Sequence, residues 1–222
     1  MKLAHYLLNN PVEWKDHYIN TFVIENSKLY REFLEEIYKQ ANGENGAFML
    51  SEGLESLSFQ KSVEVIGNLI EINGEGNKKI SSAIIKELTD IAINDQNDKV
   101  LDLYMNINNT ISSLIYESSQ DLIFDEINDI SQILKLYNLR PDFEDLNLAE
   151  KTIFYMDLCE KYLKKKLFIF VNLHSFFTSD ELDLIFKSIV YKKHNVFIIE
   201  RYDIKASPQE LKRIIDIDLC EI

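Results

Sequence analysis

Cysteine is scarce: Cys159 and Cys220 are the only two in 222 residues. No CxxC spacing exists, which excludes the common zinc frameworks. Two reduced thiols fit a cytoplasmic protein. Glycine is also sparse, at six residues. A working phosphate loop needs glycines so that backbone N–H groups can close around phosphate, with a lysine and a hydroxyl beside them. The only approach is 74-GEGNKKISS-82, which lacks the GxxxxGK[ST] spacing and reads as a flexible lead into a helix. Basic charge is short as well. Lys and Arg number 24 against 37 Asp and Glu, a formal net charge of −13, and free DNA is a poor partner for a uniformly acidic chain. No stretch reaches the roughly 18 apolar residues of a membrane span. The apolar start in MKLAHYLLNNPVEW is too short and interrupted for a signal peptide. The expected location is the cytoplasm, with no membrane partner.

What is present is enough for a substantial core: 46% hydrophobic and 11% aromatic residues. Residues 3–8, 21–25 (TFVIE), 47–50 (AFML) and 63–66 (VEVI) read as strands. Asn26 or Ser27 can cap a helix over LYREFLEEIYKQ, which NGENG then breaks. From about residue 77 the pattern turns helical. SSAIIKELTDIAI is amphipathic. So is the run from Val100 to Glu117, and so is a third with Ile127, Ile130, Ile133, Leu134 and Tyr137, ending near Pro141. The chain then returns to alternation: a helix over 149–165, a strand over 167–171, a capping box of Thr178 and Glu181, a strand over 196–200 and a last strand over 214–219. This predicts an α/β head from residues 1–65 and 149–222, with an α-helical leg inserted over 66–148. The leg carries 15 acids and 6 bases, whereas the last 74 residues carry 12 of each.

Candidate sites are few. His5, His17, His174 and His194 lie too far apart in sequence for a metal or nucleophile spacing. Glu200 ends an apolar strand as a water- or metal-positioning acid might. Asn172 stands where a nucleotide hydrolase would place an acid, after the apolar run of 164-KKKLFIFVN-172. Two buried parallel strands with polar ends are the favoured explanation of both residues. Lys164–Lys166 and Lys192–Lys193 each end an expected helix and complement its dipole. In 117-ESSQDLIFDEIND-129, Glu117, Asp121, Asp125, Glu126 and Asp129 fall within 13 residues. Glu117 and Asp121 share a face if the helix continues between them. Spacing alone favours a solvated acidic helix end over a hard-cation site, and the EF-hand pattern is absent.

The segment EKYLKKKLFIFVNLHSFFTSDEL, with NVFIIER downstream, DLIFDEI upstream and YLLNNPVEW at the start, closely resembles the Csn-two family of type II-A CRISPR adaptation proteins, in its short form. The resemblance implies a degenerate phosphate-loop (RecA/ATPase-like) α/β head without a competent nucleotide site, bearing a long helical leg. It implies a ring-shaped homotetramer, held in shape by calcium, that threads double-stranded DNA from its ends during spacer acquisition, alongside the CRISPR integrase complex and the RNA-guided nuclease, with no catalytic activity. By family position, Glu117, Asp121, Asp125 and Glu126 are the expected calcium ligands, with Asp129 a weaker addition. Lys78, Lys79, Lys86 and Lys135 are the expected DNA contacts, although 74-GEGNKK-79 departs from the family pattern. An atypical nucleotide hydrolase using 74–82 and a scaffold that recruits adaptation partners are the alternatives.

Overall fold

The computed structural model describes residues 1–14, 18–72 and 78–222. The chain divides into two compact units, Met1–Gly76 with Phe143–Ile222, and Asn77–Asp142. The boundaries expected at 65/66 and 148/149 both fall inside the first unit by this division.

The first unit is built on two sheets. A small antiparallel sheet has the order β2-β1-β4-β5, from β1 (Lys2–Ala4), β2 (Val12–Glu13), β4 (Met49–Glu52) and β5 (Glu55–Leu57). Leu3 pairs with both Val12 and Leu50. The β4–β5 hairpin turns on Gly53 and Leu54, with Gly53 at φ +60°, a conformation glycine adopts without a Cβ penalty.

The larger sheet is wholly parallel, in the order β6-β7-β8-β3-β9. Its strands are β3 (Ile19–Ile24), β6 (Val63–Ile66), β7 (Leu167–Val171), β8 (Asn195–Glu200) and β9 (Glu210–Ile215). Every residue of β3 and β7 is buried. A parallel strand covered on both faces reads as an unbroken apolar run, as LFIFV does.

One face of this sheet meets α1 (Ser27–Ala41), whose Leu29, Phe33 and Ile37 recur every fourth residue and are all buried. They join Phe22, Ile24, Leu167, Ile169, Phe197 and Ile199 in one core. Asn26 starts this helix by accepting from the N–H groups of Lys28 and Leu29. The alternate residues face the other side, towards α6 (Leu148–Leu163) and α7 (Ser179–Lys192), which pack on each other. Glu64 of β6 accepts from the Tyr155 hydroxyl of α6 at 2.7 Å. Asn147 with Glu150, and Thr178 with Glu181, form complete capping boxes at the starts of α6 and α7. A short helix, α2 (Phe59–Ser62), leads into β6.

The second unit contains α3 (Lys78–Asp95), α4 (Asn97–Glu117) and α5 (Ile130–Leu136). Its described helices bury few apolar side chains: Ile80, Val100 and Ile130. The Asn108 side chain donates to the Ile127 carbonyl and accepts from its N–H, which holds the returning segment along α4.

Several expected elements differ from the structure. The third leg helix begins at Ile130 rather than Ile127, because Asn108 holds the Ile127 backbone and Asp129 caps the helix through Ser131. The last strand runs from Glu210 to Ile215, not over 214–219. Beyond it the chain turns back through Leu219 at φ +67° to an antiparallel bridge between Ile215 and Glu221. The first strand stops at Ala4, since the His5 carbonyl accepts from the Leu8 N–H in a tight turn. The helix expected to reach 165 ends at Leu163, with Lys164 left-handed at φ +57°.

Candidate functional site

In a parallel α/β sheet, ligands gather beyond the carboxyl ends of the strands, next to a strand-to-helix turn. The corresponding turn here is β3 to α1, and it is only Glu25 and Asn26 long. It contains no glycine, and Asn26 already occupies the helix N–H groups that would otherwise face an anion. The Arg201 guanidinium lies against the same turn. It donates to the Ile24 carbonyl at 3.1 Å, to the Glu25 carbonyl and to the Ser27 hydroxyl. Its ring partners are Tyr30 and Tyr202.

Asn172 follows β7 in the left-handed region, at φ +55°. Its side-chain oxygen accepts from the Tyr30 hydroxyl at 3.1 Å and the Arg201 N–H at 3.2 Å. Burial pushes the Tyr30 phenol up, and the bond to Asn172 only partly opposes it. An amide can bridge these two donors without bringing a charge.

Next to Asn172 in the chain lies a second buried group that local sequence patterns do not reveal. His174 contacts Glu200 through Nδ1 at 2.8 Å and Glu210 through Nε2 at 3.3 Å. The three side chains are 10%, 3% and 0% exposed. Glu210 also accepts from the Thr21 hydroxyl at 2.6 Å and the Ser207 N–H at 2.7 Å. Burial alone would push the His174 imidazole down. The bonds to Glu200 and Glu210 outweigh it and hold the ring protonated up to about pH 9. Burial likewise favours a neutral Glu210, but its bonds from His174, Thr21 and Ser207 draw it below the usual carboxylate range. The result is an imidazolium between two carboxylates, joining the segment after β7 to the end of β8 and the start of β9. The contacts span 26 and 36 residues, so a search for closely spaced histidine ligands passes over them. One signal was available: a buried carboxylate ending the apolar strand of Glu200 requires a partner. His17 lies outside the described residues.

The acidic segment looks different. Glu117 is the last residue of α4, with Ser118 its cap, so the helix does not continue to Asp121. Glu117, Asp121, Asp125 and Glu126 are all exposed. Asp129 is engaged in capping α5, and its bonds to Ser131 hold its carboxyl low. Among the described residues, no three His, Cys, Asp or Glu side chains come close enough to hold a metal ion. The donors are of the hard-oxygen type that suits calcium, but one chain does not gather them. Lys78, Lys79 and Lys86 lie on α3 and Lys135 on α5, all exposed. Of the glycine-containing stretch, residues 74–77 lie outside the described residues; 78–82 form the start of α3.

No described helix is long and apolar enough to cross a membrane. A protein from Pyrococcus furiosus, described as an ABC transporter ATP-binding protein, aligns over 91% of this chain and 88% of its own at 9% identity. Its TM-score of 0.36 is below what fixes a common fold. Residues 40–219 match the family model for CRISPR-associated protein (Cas_Csn2).

Proposed function

The chain belongs to the Cas_Csn2 family of CRISPR-associated proteins, and from that membership we propose a non-enzymatic, calcium-dependent protein that binds double-stranded DNA at its ends. It acts in spacer acquisition as a ring-shaped homotetramer, with the duplex threaded through the hole. The integrase complex and the RNA-guided nuclease are its working partners. The observation that carries this reading is the family match over residues 40–219.

Two features support it. The strand-to-helix turn of the parallel sheet has its helix N–H groups taken by Asn26 and its carbonyls taken by Arg201. That suits a degenerate phosphate-loop head which has no nucleotide to hold. The helical unit leaves Leu101, Met105, Leu114, Tyr116, Leu122 and Ile123 exposed, apolar side chains of the kind that mark an interaction surface. Further copies of the chain would cover it.

Calcium would be held by Glu117, Asp121, Asp125 and Glu126. Because one chain does not bring three of them together, a second copy completes the oxygen set. Bound there, the cation offsets the repulsion between acidic units. Lys78, Lys79, Lys86 and Lys135 supply phosphate contacts, each exposed and free of burial costs. Light scattering tests the assembly: the mass should be that of a tetramer in calcium and fall with chelator. Alanine at Asp125 and Glu126 should lower it even in calcium. A mass indifferent to both treatments would overturn the calcium assignment.

A further inference from the structure

The opposite edge of the parallel sheet, where β7 and β8 begin, bears a depression of about 310 Å³. Lys164, Lys165, Lys166 and Lys193 line it, with Glu52, Glu160 and His194. Four lysines against two carboxylates is a local basic excess in a chain of net charge −13.

Not all of these cations are free to meet a ligand. Lys165 is saturated, donating to the Gln60 carbonyl at 3.0 Å and the Val63 carbonyl at 2.6 Å, with Glu64 at 3.3 Å. Lys166 pairs with Glu52 at 2.5 Å. Nearby Lys192 pairs with Asp157. His194 sits between Asp157 at 3.1 Å and Glu160 at 3.2 Å, within hydrogen-bond reach of the second wall carboxylate. Two lysines remain. Among the described residues, the Lys164 ammonium donates only to the Lys161 carbonyl, and Lys193 has no carboxylate partner.

These two lysines share an unusual backbone. Lys164 ends α6 at φ +57° and Lys193 ends α7 at φ +59°, both left-handed. Glycine is the usual residue at such a helix end, and a lysine there carries a steric cost that glycine would avoid. The two junctions are equivalent, each leading from a helix into a core strand, and both lysines line the same depression. A helix carbonyl end would repel an anion, but here several of the carbonyls are occupied. The Lys165 N–H donates to Cys159, the His194 N–H to Ile189, and the Lys193 N–H to Ile189 and Val190.

We infer that this depression binds a phosphate group, received by the ammonium groups of Lys164 and Lys193. Two ammonium groups without a carboxylate partner match a dianion, and lysine serves phosphate as a point charge with rotatable donors. The phosphate can belong to a free small anion or to the terminus of a nucleic acid strand. The depression is far too small for the body of a duplex. The inference stands independently of DNA threading.

Glycine substitution separates charge from folding, because glycine suits both backbone positions. Titration calorimetry on the full chain would use inorganic pyrophosphate, and a short oligonucleotide with and without a 5′-phosphate. The double variant Lys164→Gly/Lys193→Gly should keep or raise Tm and lose about tenfold or more in affinity for the phosphate probe. Pyrophosphate binding that the variant weakens points to a free anion. A 5′-phosphate preference that the variant abolishes points to a strand terminus. Wild-type protein that binds neither probe, or a stably folded variant that binds as wild type does, overturns the assignment.

Discussion

Replacing His174 with glutamine is the most informative perturbation of the head. In the native protein its imidazolium satisfies two carboxylates that are 3% and 0% exposed. Glutamine keeps hydrogen-bonding capacity but removes the charge, leaving two buried acids facing each other. Breaking a buried ion pair from one side costs about 3–5 kcal/mol. The pH dependence gives a second magnitude. The folded ring holds its proton to about pH 9 against an ordinary value of 6.5, worth roughly 3 kcal/mol at full effect. The 10% of the side chain that reaches solvent reduces this to about 2–3 kcal/mol. Because the folded value is raised, this stability is fully present below pH 6.5 and is lost as pH rises through about 9. Urea unfolding of wild type and His174→Gln from pH 6 to pH 10 reads both quantities. The gap should be largest near pH 6 and shrink by about 2–3 kcal/mol towards pH 10. A gap that stays constant with pH, or that is below about 1 kcal/mol throughout, would refute a charged clamp.

Further outcomes follow from other parts of the head. Glu210→Gln should leave a protein whose stability falls less on acidification, since the depressed Glu210 carboxyl contributes above its ordinary value of 4.5 and loses that contribution as pH falls through its folded value; acid titration followed by circular dichroism checks this. Arg201→Ala should destabilise the head by about 1–3 kcal/mol, because the Ile24 and Glu25 carbonyls lose their donors, again measured in urea. Thr178→Ala should cost about 1 kcal/mol through loss of the α7 capping box, seen as a fall in Tm. With a thiol reagent, exposed Cys220 should react at once. Cys159 should not react until unfolding, since burial, and then Glu64, push its thiol up to about 12.

Much of the head could be read from local patterns because local causes set it. β6 and β7 lie where VEVI and LFIFV stand, the latter an unbroken apolar run made necessary by burial on both faces. Asn26 and the Thr178–Glu181 box mark the starts of α1 and α7 through side chains that reach only two or three residues. Features set by distant partners were not legible. β9 takes its register from β3, nearly 200 residues away, with Ile19 opposite Glu210. The apolar spacing that suggested a helix at Ile127 yields to two bonds between its backbone and the Asn108 side chain. The His174 clamp joins residues that have no sequence proximity. The acidic run was legible as a cluster of carboxylates. Its convergence was not, because spacing along an irregular segment does not fix where side chains meet.

The proposed function has this chain encircle DNA from its ends with the help of calcium. The direct measurement is a gel shift comparing linear with covalently closed circular duplex of the same sequence, in calcium and in chelator. The linear duplex should be retained, the closed circle should pass unbound, and chelator should weaken the complex. Equal retention of closed circles would contradict threading, and binding unchanged by chelator would contradict the role of calcium.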